Sequence, residues 1–238
     1  AGLPSASFQT GRGIKYGGRI QFMNYGNGTT EPYNWNLALD ASNTTENQFE
    51  ATIFWDQPNI FGPQTRFDLF LQFSRLLNDD FYGVGNANAY NPDLHEQGKT
   101  NYLDEKYHNF KHKWFALVSN VHFPINPRLK GLVGIGIFDR NVIAYGLPNR
   151  LLEDMPMGID GGFSNYVRLG VIYDSRDEET VPTKGVWTDL LIEVSHSILK
   201  SDYNYQRITL TDRRYYPVLS RLTFAQRLLF EAMPGDPP

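Results

Sequence analysis

The sequence has no cysteine among its 238 residues, and it has no long hydrophobic run. The first absence excludes disulfide frameworks, thiolate metal sites and cysteine nucleophiles. The longest stretch of apolar residues and glycine that begins and ends with an apolar residue is Leu132–Phe138, whereas a membrane-spanning helix needs roughly 20 residues. The N-terminal residues 1–5 lack a basic segment followed by an apolar core, so a secretory signal is either absent or already cleaved.

A strong charge of one sign is also missing. Lysine and arginine number 22, aspartate and glutamate number 26, and the net charge is -4. This balance gives no indication of a polyanionic partner, and we expect no binding to nucleic acid. Hydrophobic residues make up 41% of the chain although the mean hydropathy is -0.43, so polar residues interrupt the apolar ones. The 16 phenylalanines, 14 tyrosines, 21 glycines and 14 prolines favour strands and turns.

Apolar and polar residues alternate with a period of two along much of the chain. In the segment 33–41 the odd positions hold Tyr33, Trp35, Leu37 and Leu39, and mostly polar residues lie between them. The same alternation is clear over 48–56, 66–74, 167–176 and 221–231, and partial over 14–25, 110–123, 129–140, 186–196 and 203–215. A period of two is that of a strand with two different faces. The sequence therefore predicts about ten strands.

The length of these strands indicates their environment. Each apolar stripe covers about nine to eleven residues, which a tilted strand needs to cross the hydrocarbon layer. Strands of soluble sandwiches are typically about five or six residues long. We therefore predict an all-β fold, a transmembrane antiparallel β-barrel with a lipid-facing side and a polar interior.

Aromatic residues and connection lengths orient the predicted barrel. If neighbouring strands run in opposite directions, one set of aromatics falls near one rim and a second set near the other, as in the aromatic girdles of membrane barrels. The first set is Tyr25, Tyr33, Trp35, Trp55, Phe67, Phe123, Tyr173 and Tyr215; the second is Phe49, Phe73, Phe115, Phe138, Phe163, Tyr205 and Phe230. The long links 77–106 and 141–162 open on the second rim. Because such barrels have short periplasmic turns and long extracellular loops, the first rim is predicted to be periplasmic.

One charged turn has a distinctive pattern. Residues 170–177 read Gly-Val-Ile-Tyr-Asp-Ser-Arg-Asp and 182–185 read Pro-Thr-Lys-Gly, so that Asp174, Arg176, Asp177, Pro182 and Gly185 form one element. Aspartate and serine hydrogen-bond the backbone at a strand end, proline sets φ, and glycine permits φ > 0. The element resembles the barrel of the Omp85 superfamily, also called the bacterial surface antigen D15 family. The segments 81–86 and 213–217 resemble that family as well, so the likeness covers roughly residues 65–238.

The resemblance implies a sixteen-stranded barrel of the BamA/TamA kind in the bacterial outer membrane. Members that assemble or translocate proteins carry POTRA domains before the barrel, but residues 1–30 lack the helix and strand alternation of such a domain. The Arg-Gly-Phe or Arg-Gly-Tyr motif of the family's lid loop is also absent from the sequence. We therefore expect residues 1–238 to form a single β-barrel domain that is incomplete at its C-terminal end, without the lid loop and closing strands.

Side chains that suggest chemistry have simpler explanations. Ser195 and His196, with Asp189 or Glu193, could indicate a barrel hydrolase, but by strand parity the serine and histidine face opposite sides. His108, His112 and His122 could bind a metal, although placement at a rim or in the interior accounts for them. We expect no catalytic residue, no metal and no cofactor.

The charged residues that alternate with the apolar stripes are predicted to face the lumen. They are Arg66, Asp68, Arg168, Arg221 and Arg227, and they line a solvated wall or bind a lid or plug. The resemblance implies a non-enzymatic protein of the outer membrane that acts in protein insertion, translocation or surface display, or as a subunit of a larger envelope complex. The alternative is a passive porin or transporter. Outer-membrane lipid is the expected partner, together with other envelope proteins or a substrate polypeptide.

Overall fold

The structure is a computed structural model, and it describes residues 1–9, 13–28, 32–85 and 90–237. These residues form one antiparallel sheet of 12 strands. The strands are β1 (Gly2–Gln9), β2 (Gly13–Asn24), β3 (Trp35–Thr44), β4 (Phe49–Pro58), β5 (Arg66–Asp80), β6 (Asn109–Asn126), β7 (Leu129–Ala144), β8 (Gly162–Phe163), β9 (Tyr166–Asp174), β10 (Gly185–Ser195), β11 (Tyr205–Leu219) and β12 (Leu222–Ala232).

Helical structure is confined to short pieces. A helix α1 (Arg150–Asp154) and two 3₁₀ turns, Pro92–Leu94 and Ser197–Leu199, lie in connections between strands. Within the described residues, no helix combines the length and the apolar character needed to cross a membrane. The sequence prediction of an all-β antiparallel fold is confirmed.

The strands follow one another in the sheet in chain order, apart from β8, which pairs with the end of β7. Each of the ten predicted segments coincides with a strand, and β1 and β8 are additional. The outward positions of β1 are Gly2, Pro4, Ala6 and Phe8, as judged from its register with β2. Because the first three are small or cyclic, β1 shows little apolar contrast and its period was missed. β8 has only two residues and carries no periodic signal.

The register places every strand residue on one of two faces. On the outer face, Leu39, Ile53 and Leu71 lie directly opposite one another on β3, β4 and β5. On the inner face the buried Asn36 pairs with the buried Asp56. Exposed large apolar side chains recur on the outer face of successive strands, and Leu169 on β9 is 60% exposed. A surface of this kind suits hydrocarbon and not water.

The two rims differ in their connections. The short-loop rim carries the connections 25–34, 59–65, 127–128, 175–184 and 220–221; the long-loop rim carries 81–108 and 145–165. Four aromatics of the predicted girdles do not face outward. Tyr33, in the connection before β3, donates its hydroxyl to the buried Asp56 of the inner face. Phe138 pairs with the buried Ala116, Tyr205 with the buried Ser195, and Tyr215 shares its face with Arg213. The girdle prediction was wrong for these residues because it considered only how near each aromatic lies to a rim. It did not consider which face of the sheet the side chain lies on.

We expect an arginine on the outer face to destabilise the barrel. In lipid vesicles, Leu169→Arg should lower the free energy of unfolding by about 2 to 4 kcal/mol, because the charge enters hydrocarbon. The matched control is Gln72→Arg on the inner face, where the native amide already lies 3.1 Å from Glu50; this change should stay within about 1 kcal/mol. Urea titration of the full-length protein measures both. Equal losses for the two variants would contradict the assignment of faces.

Candidate functional site

A row of polar side chains crosses the inner face. The register sets Asn36, Asp56, Asp68, Asn120, Gly134, Arg168, Glu193 and Arg207 side by side on successive strands from β3 to β11. We call this set the inner row. Four members are buried, namely Asn36, Asp56, Asn120 and Glu193, and the side chain of Arg168 is 16% exposed. Buried polar groups of this kind need partners inside the protein.

The centre of the inner row is held by hydrogen bonds between neighbouring strands. Asn120 Nδ2 donates to Asp68 Oδ1 at 2.7 Å, and Arg168 Nη1 donates to Asn120 Oδ1 at 3.1 Å. The Arg168 guanidinium also donates through Nε and Nη2 to Glu193 Oε1, at 2.9 and 2.5 Å. Hydrogen bonds in which the donor or the acceptor is ionised are stronger than those between neutral groups. The row therefore links β5, β6, β9 and β10 through their side chains as well as their backbones.

Glycines on β7 make room for this row. Gly134 separates Asn120 from Arg168, and a Cβ there would lie 2.3 Å from Asn120 Oδ1. Gly136, two residues along, faces the ring of Tyr166, which a Cβ would meet at 2.2 Å. The Gly134-x-Gly136 pattern thus serves close packing inside a strand, and it allows Arg168 to reach across β7.

A second cluster lies at the short-loop rim. Arg66 donates in bidentate fashion to Asp56, from Nε to Oδ1 at 2.6 Å and from Nη2 to Oδ2 at 2.7 Å. The Tyr33 hydroxyl also donates to Asp56, and Arg66 Nη1 donates to Glu179 Oε1 at 2.5 Å. We call Tyr33, Asp56, Arg66 and Glu179 the mouth cluster. Burial, and then the bond to Asp56, raise the pKa of the Tyr33 phenol well above its usual range, so this hydroxyl stays a donor.

Glu179 reaches the mouth cluster from the turn between β9 and β10, residues 175–184. Asp177 organises this turn: its carboxylate accepts from the backbone N–H of Thr183 at 2.9 Å and of Lys184 at 3.1 Å, and from the Thr183 hydroxyl. These bonds, with that of the Thr183 hydroxyl foremost, hold the pKa of the Asp177 carboxyl far below its usual range. The carboxylate therefore remains an acceptor at any ordinary pH.

The ends of the turn are fixed as well. Arg176 pairs with Asp174 at 2.9 Å and places its guanidinium 4.4 Å from the centroid of the Trp187 ring. Gly185 has φ +107°, and a Cβ there would lie 2.4 Å from the Ser175 carbonyl oxygen. Both the backbone angle and the close approach require glycine.

The turn extends across the interior. In the sheet, β6 and β7 lie between β5 and β9, so the contact of Arg66 with Glu179 joins two separate parts of the wall. A cavity of about 780 Å³ lies beside the turn, with Tyr25 and Tyr33 on one side and Asp174 and Arg176 on the other. The turn and the mouth cluster together narrow the opening at the short-loop rim.

The predicted residues fall into several places. Asp174, Arg176, Asp177, Pro182 and Gly185 lie together in or beside the β9–β10 turn. Arg66, Asp68 and Arg168 lie on the inner face, and Arg227 pairs with Arg213 on that face of β12. Arg221 differs: β11 ends at Leu219 and β12 begins at Leu222, so this residue is exposed in the turn at the short-loop rim. Of the segment 81–86, Asn86 lies outside the described residues.

Tyr33, Asp56, Asn120, Glu179 and Glu193 were not predicted as site residues. Their alternation places the strand members on the inner face, but only the register shows which of them meet. Glu179 had no signal, because its partner is more than one hundred residues away in the chain and the contact depends on the curvature of the sheet.

The side chains that suggested a hydrolase do not come together. Ser195 Oγ bonds Ser201 Oγ at 2.7 Å and donates to the Tyr203 carbonyl at 2.9 Å, while His196 Nδ1 accepts from the Ile198 N–H at 3.2 Å. The three histidines also contact different partners. His122 lies within hydrogen-bond distance of Asp68, His112 lies near Asp79, and the ring of His108 packs against that of Tyr107. Over residues 1–9, 13–28, 32–85 and 90–237, no three histidine or acidic side chains form a group that could hold a metal ion.

An antiparallel sheet with an apolar outer face and a hydrogen-bonded polar inner face defines a β-barrel protein of the outer membrane. Residues 33–236 match the Omp85 superfamily domain, and the chain belongs to that superfamily of the bacterial outer membrane. The fold is similar to BamA from Haemophilus ducreyi lacking POTRA domains 1-3, with a TM-score of 0.53 and 13% identity over 97% of this chain and 40% of that chain. The chain thus spans less than half of that structure's length. No curated protein matches the sequence.

We expect the mouth cluster to contribute strongly to stability. Asp56 is 1% exposed, so Asp56→Ala leaves the guanidinium of Arg66 without its bidentate partner and should lower the free energy of unfolding by about 3 to 5 kcal/mol. The control is Asp40→Ala, also on the inner face, whose carboxylate is 40% exposed and 3.9 Å from Arg19; it should cost less than about 1 kcal/mol. Urea unfolding in micelles compares them. Equal small losses would rule out a structural role for the cluster.

Proposed function

We propose that this barrel is a non-enzymatic protein of the outer membrane that inserts polypeptide strands into the bilayer. Membership of the Omp85 superfamily supports this proposal. The observation that carries it is the contact of Arg66 with Glu179, which holds the β9–β10 turn at the short-loop rim, where a passive pore would be open. A barrel whose opening is narrowed in this way is better suited to bind a substrate strand at its wall than to conduct solutes through its lumen.

The part of the wall that we assign to this function is β1. Among the described residues β1 pairs with β2 alone, and its outward positions begin with Gly2, Pro4 and Ala6. Gly2 and Ala6 leave the backbone accessible, whereas Pro4 offers only its carbonyl because it has no N–H. An extended polypeptide adds to such an edge by main-chain hydrogen bonds. In hydrocarbon an unpaired edge is strongly unfavourable. A client strand that pairs with β1 therefore gains a partner for its backbone while its apolar side chains enter lipid.

The absence of cysteine makes this proposal testable by disulfide formation. We expect Ala6→Cys on β1 to cross-link to a cysteine in the terminal strand of an unfolded outer-membrane barrel client, when the full-length protein is present in vesicles. The matched control is Ala51→Cys, which is also outward but lies on β4 between β3 and β5. This position should give no cross-link, because β4 is already hydrogen-bonded to a strand on each side and has no free edge for the client strand. Equal yields at the two positions, or none at Ala6 while the client folds, would overturn the assignment.

The passive porin is the competing function, and conductance separates the two. With the mouth cluster intact, the full-length protein in a planar bilayer should show a small and intermittent conductance. The variant Glu179→Gln should increase it, because the turn loses its charged link to Arg66. A large, stable conductance in the wild type that this variant leaves unchanged would favour the porin.

A further inference from the structure

Three basic side chains lie together on the lipid-facing surface at the long-loop rim. Arg75 on β5 and Lys113 on β6 are directly opposite in the register, and Lys111 is the next residue of β6 on the same face. We call these three the rim cations. Phe73 and Phe115 are directly opposite each other on the same outer face, one position nearer the middle of the strands. The rim cations therefore lie between this aromatic pair and the long-loop rim.

Their arrangement is unfavourable in the protein alone. Like charges directly opposite on neighbouring strands repel each other. Within the described part of the chain, none of the rim cations forms an ion pair with a carboxylate. Asp139 is on the same face of β7, but its direct partner on β6 is Phe115, so it is a diagonal neighbour of Lys113.

The contacts that the rim cations do make leave donors free. Arg75 Nη2 donates to the carbonyl and the side-chain oxygen of Asn47, at 3.1 and 2.9 Å. Its Nε is buried, so only the outer nitrogens of the guanidinium can reach a ligand. Lys111 Nζ lies 4.7 Å from the centroid of the Tyr145 ring. Lys113 is exposed, and its direct neighbour on β7 is Asn141, whose amide is a further donor.

These observations fit an anionic ligand at the level of lipid headgroups. Residues directly opposite have Cβ atoms about 4.5 to 5.5 Å apart, so the long side chains of Arg75 and Lys113 reach one anion. Lys111 is about 7 Å further along the strand, within reach of a second anion. Arginine and lysine near a membrane surface bind lipid phosphates. The rim cations lie just beyond an aromatic pair, where the headgroups of the surrounding leaflet begin.

We propose that Arg75, Lys111 and Lys113 bind the phosphate groups of a phosphorylated glycolipid in the outer leaflet. The long-loop rim is the predicted extracellular side, and the outer leaflet there presents such phosphates. Lipid phosphate would relieve the repulsion between Arg75 and Lys113 and fix the barrel's height in the membrane. This inference depends on the assignment of the rim and does not depend on strand insertion at β1.

The test is lipid binding by the full-length protein in a neutral detergent, followed by native mass spectrometry. The ligands are lipid A with two phosphates and the same lipid with both phosphates removed. The cluster variant is Arg75→Gln, Lys111→Gln and Lys113→Gln together. The control variant removes the same number of charges from exposed lysines elsewhere: Lys99→Gln, Lys184→Gln and Lys200→Gln.

We expect the cluster variant to bind diphosphorylated lipid A at least tenfold more weakly than the wild type, and the control variant to bind it as the wild type does. The phosphate-free lipid should bind weakly to all three proteins. If the triple variant does not fold, Lys113→Gln alone should still weaken binding several-fold. The proposal would be overturned if the folded cluster variant bound diphosphorylated lipid A as the wild type does, or if the wild type bound the phosphate-free lipid equally well. It would also be overturned if inorganic phosphate displaced bound lipid A as effectively as added lipid A does.

Discussion

The constraint on which the structure depends is that a backbone amide in hydrocarbon has no water to bond. Every strand that crosses a bilayer must therefore pair with neighbours on both sides. The continuous antiparallel order from β1 to β12 meets this requirement along the described sheet, except at its two edges. Once the strands are paired in register, the period of two separates the side chains onto an outer and an inner face. The apolar exterior and the polar interior are consequences of that pairing.

A polar interior creates a second requirement, since buried donors and acceptors must find one another. At the centre of the inner row Arg168 satisfies this requirement by joining Asn120 to Glu193 Oε1. Glu193 Oε2 and Arg207 Nε, at the end of the row, are buried without a hydrogen-bond partner. The mouth cluster satisfies the requirement between distant strands, with Arg66 joining Asp56 to Glu179. The two sets stiffen the wall and hold the β9–β10 turn over the opening at the short-loop rim. They also explain how the β9–β10 turn can be ordered although it contains several charged residues. The carboxylates of Asp177 and Glu179 both accept hydrogen bonds from other residues of the protein.

Much of this fold could be predicted from the sequence, because alternation is a local property of a strand. The ten predicted segments coincide with strands for that reason. β1 escaped prediction because Gly2, Pro4 and Ala6 give no apolar contrast. The face on which a side chain lies was harder to predict. Tyr215 lies near the rim, as a girdle residue should, but on the inner face. Arg221 continues the alternation of β12 but lies in the turn before that strand. The partnership of Arg66 with Glu179 could not be predicted, since it depends on how far the sheet curves between β5 and β9.

The most direct test of this account is the position of the β9–β10 turn in the membrane. Because the chain has no cysteine, spin labels can be placed at Phe61→Cys and Thr180→Cys in the full-length protein, at the tips of the β4–β5 and β9–β10 connections. Pulsed electron resonance in lipid should give one narrow distance distribution, which broadens when Glu179→Gln removes the charge that pairs with Arg66. A broad distribution in the labelled protein that carries Glu179, or one that Glu179→Gln leaves unchanged, would contradict a turn fixed across the interior.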